Sequence, residues 1–266
     1  MKIRHLLVLN LLALLVGCSS FHKNSFDSYS GKLKGYSGHI LYIDDYPEAE
    51  GYLIKKNGKR FRAIGLPYVL EETVYDFASQ KINVLPLNYG ESRITIENDD
   101  LVNLSPEDLL RTNREANLVR EIVSKKSPQL DYTFEFISPV DNFITSRYGK
   151  KRYINDQPRS PHLALDIDGS EGDIIVSPMD GTVVLVDEHF YSGKFIVLDH
   201  GGGLFTSYSH LNKWLVEEGD SILKSQKIGE IGSTGRVTGP HLHWVVYLNK
   251  NRINPELLVK LEQFQD

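Results

Sequence analysis

One cysteine in 266 residues excludes any disulfide within the chain. There is no excess of basic residues either: the formal net charge is -5, and phosphate backbones need a cationic field, so nucleic acid is excluded as a partner. The sequence contains no H-E-x-x-H, the pattern that sets two histidines and a glutamate on one helical face. Past residue 16 no apolar run is long enough to span a bilayer. What remains is an ordinary globular balance, 41% hydrophobic and 24% charged, in a length that suits one large domain or two modest ones.

The N-terminus is set apart. "MKIRHLLVLNLLALLVGCSS" places Lys2 and Arg4 before a short apolar run over residues 6–16 and ends in small residues, which reads as a secretory signal. Its end, "LVGC", resembles the bacterial lipobox, which implies removal of residues 1–17 and lipidation of Cys18. Several acyl chains on one residue anchor stably where a single chain is marginal. Ser19 resembles an outer-membrane sorting residue, so the expected location is the cell envelope, lipid-anchored to the membrane through Cys18 at the periplasmic face of the outer membrane. Residues 18–37, rich in Ser, Gly and Lys, read as a tether.

The rest of the chain is predicted to be mostly β. Residues 38–103 suggest a small β-sandwich-like domain, with Asn57-Gly58 as a two-residue hairpin signal and "RITIE" alternating with period two. Within residues 104–131 the period changes. Ser105 suits an N-cap, Pro106 the first helical position and Asp108 the capping box, and Leu109, Leu110, Leu118, Val119, Ile122 and Val123 form an apolar stripe. A linker helix ending near Ser127-Pro128 is expected. Residues 132–262 return to short strands between glycine-rich turns and predict an antiparallel β-sheet domain.

That last domain holds the chemistry. On a strand, residues two apart share a face. In "GPHLHW" this sends His241 and His243 to one side and Leu242 and Trp244 to the other; on a helix the two rings would diverge by about 200°. In "PHLALDI" the same rule pairs His162 with Asp166 across the small Ala164, and "YSHL" brings His210. Nitrogen and oxygen donors of this kind suit a tetrahedral zinc site with water in the fourth position. Spacing alone does not say which histidines would bind the metal.

Taken together, "PHLALDI", "DGTV", "DHGGGLFTSYSHL" and "IGEIGSTGRVTGPHLHW" resemble the lysostaphin/LytM-type zinc metallopeptidases, the peptidoglycan endopeptidases of bacteria, over residues 136–258. The resemblance implies a LytM-type catalytic domain with one Zn2+ on His162, Asp166 and His243. It implies that His210 and His241 are catalytic histidines flanking the water and the tetrahedral intermediate, without choosing between them as base. Peptidoglycan stem peptides would be the substrate, with hydrolysis at the D-alanyl–diaminopimelate cross-bridge. Some relatives have lost zinc ligands and activate other wall hydrolases, which makes a silent activator of a cell-wall amidase or division protein the alternative; all five positions are retained here. Ala164 stands where many members have Gly, and Trp244-Val245 replaces Phe-Glu.

Other polar residues have weaker claims. His200, in a glycine-rich turn, reads as structural, and Asp168 as a second acid on the Asp166 face or a solvated carboxylate. The basic group Arg147, Lys150, Lys151, Arg152 and Arg159 either borders the cleft or is a solvated loop, and Arg236 and Thr238 read first as turn residues.

Overall fold

The computed structural model describes residues 33–95 and 104–259. The expected signal, Cys18, most of the tether and residues 96–103 lie outside the described residues. No described helix is long and apolar enough to cross a membrane.

Six strands open the described chain: β1 (Leu33–Tyr36), β2 (Ile40–Asp44), β3 (Tyr52–Lys56), β4 (Lys59–Gly65), β5 (Thr73–Phe77) and β6 (Gln80–Leu85). They form two three-stranded sheets, β1-β6-β5 and β2-β4-β3. Asn57 and Gly58 join β3 to β4 with φ of 52° and 71°, the left-handed pair that a tight hairpin demands. Ile64, Leu66, Ile82 and Val84 are buried between the sheets, with Leu41 and Tyr75 packed against them. The β2-β4-β3 sheet has a second commitment: Ile40, Tyr52, Ile54 and Ala63 belong to the main core of the C-terminal half. The Tyr52 hydroxyl donates to the Asp131 carbonyl at 2.7 Å, and the Asn249 side-chain oxygen accepts from Gly65 N at 3.4 Å.

β7 (Glu91–Ile94) leaves this unit altogether. It pairs in parallel with β9 (Lys151–Ile154), whose other edge holds β10 (Gln157–Arg159). Between β7 and the C-terminal sheet comes α1 (Pro106–Ser124), capped as expected, with Asp108 N donating to Ser105 Oγ at 3.1 Å. Its stripe departs from expectation. Ile122 and Val123 are buried, but Leu109, Leu110 and Leu118 are exposed, because the C-terminal turns make the apolar packing on the sheet. The N-terminal half reaches it through polar contacts, Arg111 donating to Glu188 O and Glu115 accepting from Phe190 N.

The remaining strands are β8 (Ile144–Ser146), β11 (Leu165–Asp168), β12 (Ile174–Val176), β13 (Gly181–His189), β14 (Gly193–Asp199), β15 (Leu204–Trp214), β16 (Ser221–Ile222), β17 (Lys227–Ile231), β18 (His241–Leu248) and β19 (Asn251–Ile253). They make one ten-stranded sheet whose main path runs β16-β13-β14-β15-β18-β11-β8. One face, with Leu165, Ile167, Leu242, Trp244 and Val246, closes the main core. The other carries Phe205, Val245 and Tyr247, and there Ile122 and Val123 of α1 pack.

Candidate metal centre and catalytic site

The antiparallel pairing of β11 with β18 sets Asp166 opposite His243 and Asp168 opposite His241. Leu242 and Trp244 are fully buried on the reverse face, so the alternation expected of "HLHW" holds. The expectation for His162 needs correction in its reason. β11 starts at Leu165, so strand alternation does not carry His162 to Asp166. The preceding loop does, tied by backbone bonds from His162 N to Lys150 O at 2.9 Å and from Gly149 N to His162 O at 2.7 Å. Ala164, fully buried in that loop, packs with the α1 face rather than leaving space between the donors.

Three donor atoms converge. His162 Nε2 lies 3.0 Å from Asp166 Oδ1 and 3.3 Å from His243 Nδ1, and that nitrogen is 2.7 Å from Asp166 Oδ1. His162 Nδ1 sits 3.1 Å from the Arg147 carbonyl, which can only accept, so Nδ1 carries the proton and a neutral His162 offers a bare lone pair at Nε2. A lone pair facing a carboxylate oxygen at that distance is repulsive unless a cation lies between them. Zinc–ligand bonds of ~2.0–2.1 Å in a tetrahedron put donors about 3.4 Å apart, close to the spacing seen. These three residues are the metal-competent group among the described residues, and their chemistry fits zinc.

Two further rings face this group. His210 Nδ1 lies 2.9 Å from the Thr234 carbonyl and His241 Nδ1 2.9 Å from the Gly239 carbonyl, so each donates there and turns Nε2 inward as an acceptor. The rings sit 5.0 Å apart, and His210 is 5.7 Å from His243. His210 occupies an unusual position for a strand residue. Its φ is +66°, in a register shift between β14 and β15, where the bulge turns a ring out of strand alternation. Gly193 and Gly235 permit this: a Cβ on Gly193 would lie 2.3 Å from the Thr234 backbone, and one on Gly235 2.3 Å from Gly193 N.

Electrostatics act on three members of the cluster, His210, His243 and Asp166. Burial lowers His210 to about 3, helped by the neighbouring His243 and His241 and opposed by its bond to Thr234. Burial likewise lowers His243 to about 4 against the pull of Asp166. Burial pushes the Asp166 carboxyl up, but the charge and hydrogen bonds of His243 and His162 outweigh it and hold the group well below the usual carboxylate range. Asp166 is thus held ionised and His243 neutral beside it, the state in which a metal binds.

A cavity of about 480 Å³ opens over the cluster, lined by Asp166, His210, His241 and His243, by Arg236 and Thr238, and by Ser92 and Ile94 of β7. Arg152 lines it too, whereas Arg147 is drawn aside into an ion pair with Glu256. His200 is structural as expected: it is fully buried, with its ring nitrogens 2.8 Å from Asp180 O and 2.7 Å from Thr206 Oγ1. Sequence reasoning missed Thr234 and Tyr191. Thr234 acts through a carbonyl that any residue would supply. The Tyr191 ring lies 3.9 Å beneath the Arg236 guanidinium, a pairing that only the fold creates.

Residues 160–255 match Peptidase family M23, and the chain therefore carries a peptidase M23 domain. "Peptidoglycan DD-endopeptidase ShyA" of Vibrio cholerae is 37% identical over 119 residues, which cover 44% of this chain and 28% of that protein. "Peptidoglycan DD-endopeptidase ShyB" of the same organism is 41% identical over 118 residues, covering 43% and 28%. The chain thus spans under a third of the length of these curated relatives. A crystal structure from Pseudomonas aeruginosa, assigned to peptidase M23, superposes with a TM-score of 0.64 at 26% identity, covering 84% of this chain and 94% of that one. Coverage of that extent reaches well beyond residues 160–255 into the N-terminal strands.

Proposed function

We propose that this chain, through its M23 domain, is a zinc-dependent endopeptidase that hydrolyses peptide cross-links of bacterial peptidoglycan. The observation that carries the reading is the convergence of three lone pairs from His162, Asp166 and His243 beneath two inward-facing histidine nitrogens. The similarity to two peptidoglycan DD-endopeptidases supports the substrate class.

In this reading His162, Asp166 and His243 hold the metal. Zinc in such a site supplies a Lewis acid that polarises an amide carbonyl and acidifies water. The chain's own residues then manage protons. His210 and His241 are oriented by backbone carbonyls, and each offers Nε2 to take a proton as general base. Once protonated, the same nitrogen donates to the departing amine. Pre-set tautomers remove the need to reorient a ring during turnover. We further assign lipidation to Cys18 and a location in the cell envelope at the outer membrane, both resting on the N-terminal sequence.

Product analysis on cross-linked muropeptides, with and without chelator, tests the function. Metal-dependent release of uncross-linked stem peptides is expected. A protein that takes up zinc, cuts nothing and stimulates an amidase would overturn the reading in favour of a silent activator.

A further inference from the structure

A second cavity, about 620 Å³, adjoins the metal centre on its other side. His162 and His243 close one end, and Thr112, Ala116, Val119 and Val123 of α1 close the other, so the connecting helix is also a wall of the groove. Phe195, Val245 and Tyr247 line its apolar surface. Arg152, Tyr191, Arg236 and His243 line both cavities, so one cleft runs from the histidine pair, past the metal centre, to α1.

Its charge is opposite to that of the chain. Arg120, Arg152, Arg159, Arg236, Lys250 and Arg252 line the groove, in a protein of net charge -5. Among the described residues Glu115 is the one acid in that lining, and it is already engaged, accepting from Phe190 N at 2.9 Å and from Arg111 Nε at 2.7 Å. The like charges are close enough to act on one another: burial first, and then Arg152 and Arg159, lower the Arg236 guanidinium's affinity for its proton. The groove also holds a polar orphan. Ser207 lines it, is 1% exposed, and its hydroxyl has no hydrogen-bond partner among the described residues. A concentration of cations with an apolar floor and an unsatisfied hydroxyl is suited to a peptide that carries several carboxylates.

We infer that the α1-side groove is a binding arm for one stem peptide, selecting it by its free carboxylates. This rests on the peptidoglycan reading above for the identity of the peptide. It adds a specificity that the metal centre alone does not supply, and it gives α1 a role in recognition.

The test is equilibrium binding of an uncross-linked stem tetrapeptide, L-alanyl-γ-D-glutamyl-meso-diaminopimelyl-D-alanine, and its fully amidated counterpart, by calorimetry. Zinc-loaded and chelated protein are both measured. The free acid should bind about tenfold more tightly, the order expected of a contact to a charged group. The preference should persist after chelation, weaken with salt, and collapse in the Arg120→Glu/Lys250→Glu variant, with Arg120→Gln/Lys250→Gln intermediate. Equal binding of the two peptides by the wild-type protein overturns the inference, as does a preference that vanishes with the metal. Cleavage is scored separately. Charge-dependent binding without any cleavage would sustain the groove and sink the peptidase reading, whereas cleavage with equal binding would do the reverse.

Discussion

Asp166 and His243 face one another across the β11–β18 ladder with Oδ1 2.7 Å from Nδ1, and this contact ties the candidate metal centre to strand register. A one-residue slip of β18 would send both histidines into the core and bring Leu242 and Trp244 out. The burial of Trp244 on the reverse face guards against that slip. Trp244→Ala should therefore cost about 3–5 kcal/mol of stability, the range for emptying a large core site. Denaturant unfolding measures it, and a cost under 1 kcal/mol would show that the register is held elsewhere.

The two histidines of β18 should separate in function. His243→Ala removes a donor, so zinc content after dialysis should fall from about one per chain to near zero. His241→Ala leaves all three donors, so zinc should remain while kcat drops by about 10²–10⁴, the usual worth of a positioned acid or base. Elemental analysis paired with a muropeptide assay separates the two outcomes. Equal zinc loss in both variants would contradict the assignment.

How much of this was legible beforehand depends on the periodicity of each segment. "HLHW" could be read because strand alternation is strictly local and β18 is a regular strand. His162 came to the right place for a different reason, a loop pinned to residues 149–150, which alternation does not encode. His210 stands out in "YSHL", but its catalytic role rests on the resemblance alone. Its inward aim depends on a bulge at φ +66° and on the packing of two loops against each other, which no single segment specifies. The α1 stripe is less buried than its pattern implies: helical spacing of Leu109, Leu110 and Leu118 shows a common face and does not show that anything covers it. Nor does local pattern reveal that β7 pairs with β9, since that pairing joins strands more than fifty residues apart.

The loops that hold His210 offer a test of positioning. A Cβ on Gly193 would push into Thr234, whose carbonyl fixes the His210 tautomer, and φ of +60° adds strain of its own. Gly193→Ala should leave zinc content intact and lower kcat by about 100-fold, as small displacements of a reacting group do. Normal turnover in this variant would show that the Thr234 contact does not matter.

Acid should destabilise the zinc-free protein in a definite window. His210 and His243 are lowered to about 3 and about 4, and burial lowers His200 as well, so all three remain neutral in the folded state. In the unfolded chain they titrate near 6.5. Below that pH the unfolded state binds more protons, so stability is fully present above about 6.5 and falls as pH drops towards 4. Asp166 works at lower pH: its depressed carboxyl gives stability that is lost only below about 3.9. Urea midpoints of chelated protein should stay nearly level from pH 7.5 to about 6.5 and decline from there to pH 4.5. His200→Gln, which can keep a hydrogen bond but carries no titrating group, should flatten part of that slope. A midpoint that does not change across the window would mean that these rings accept protons without unfolding, and that the neutral state of His200, His210 and His243 is not enforced by the fold.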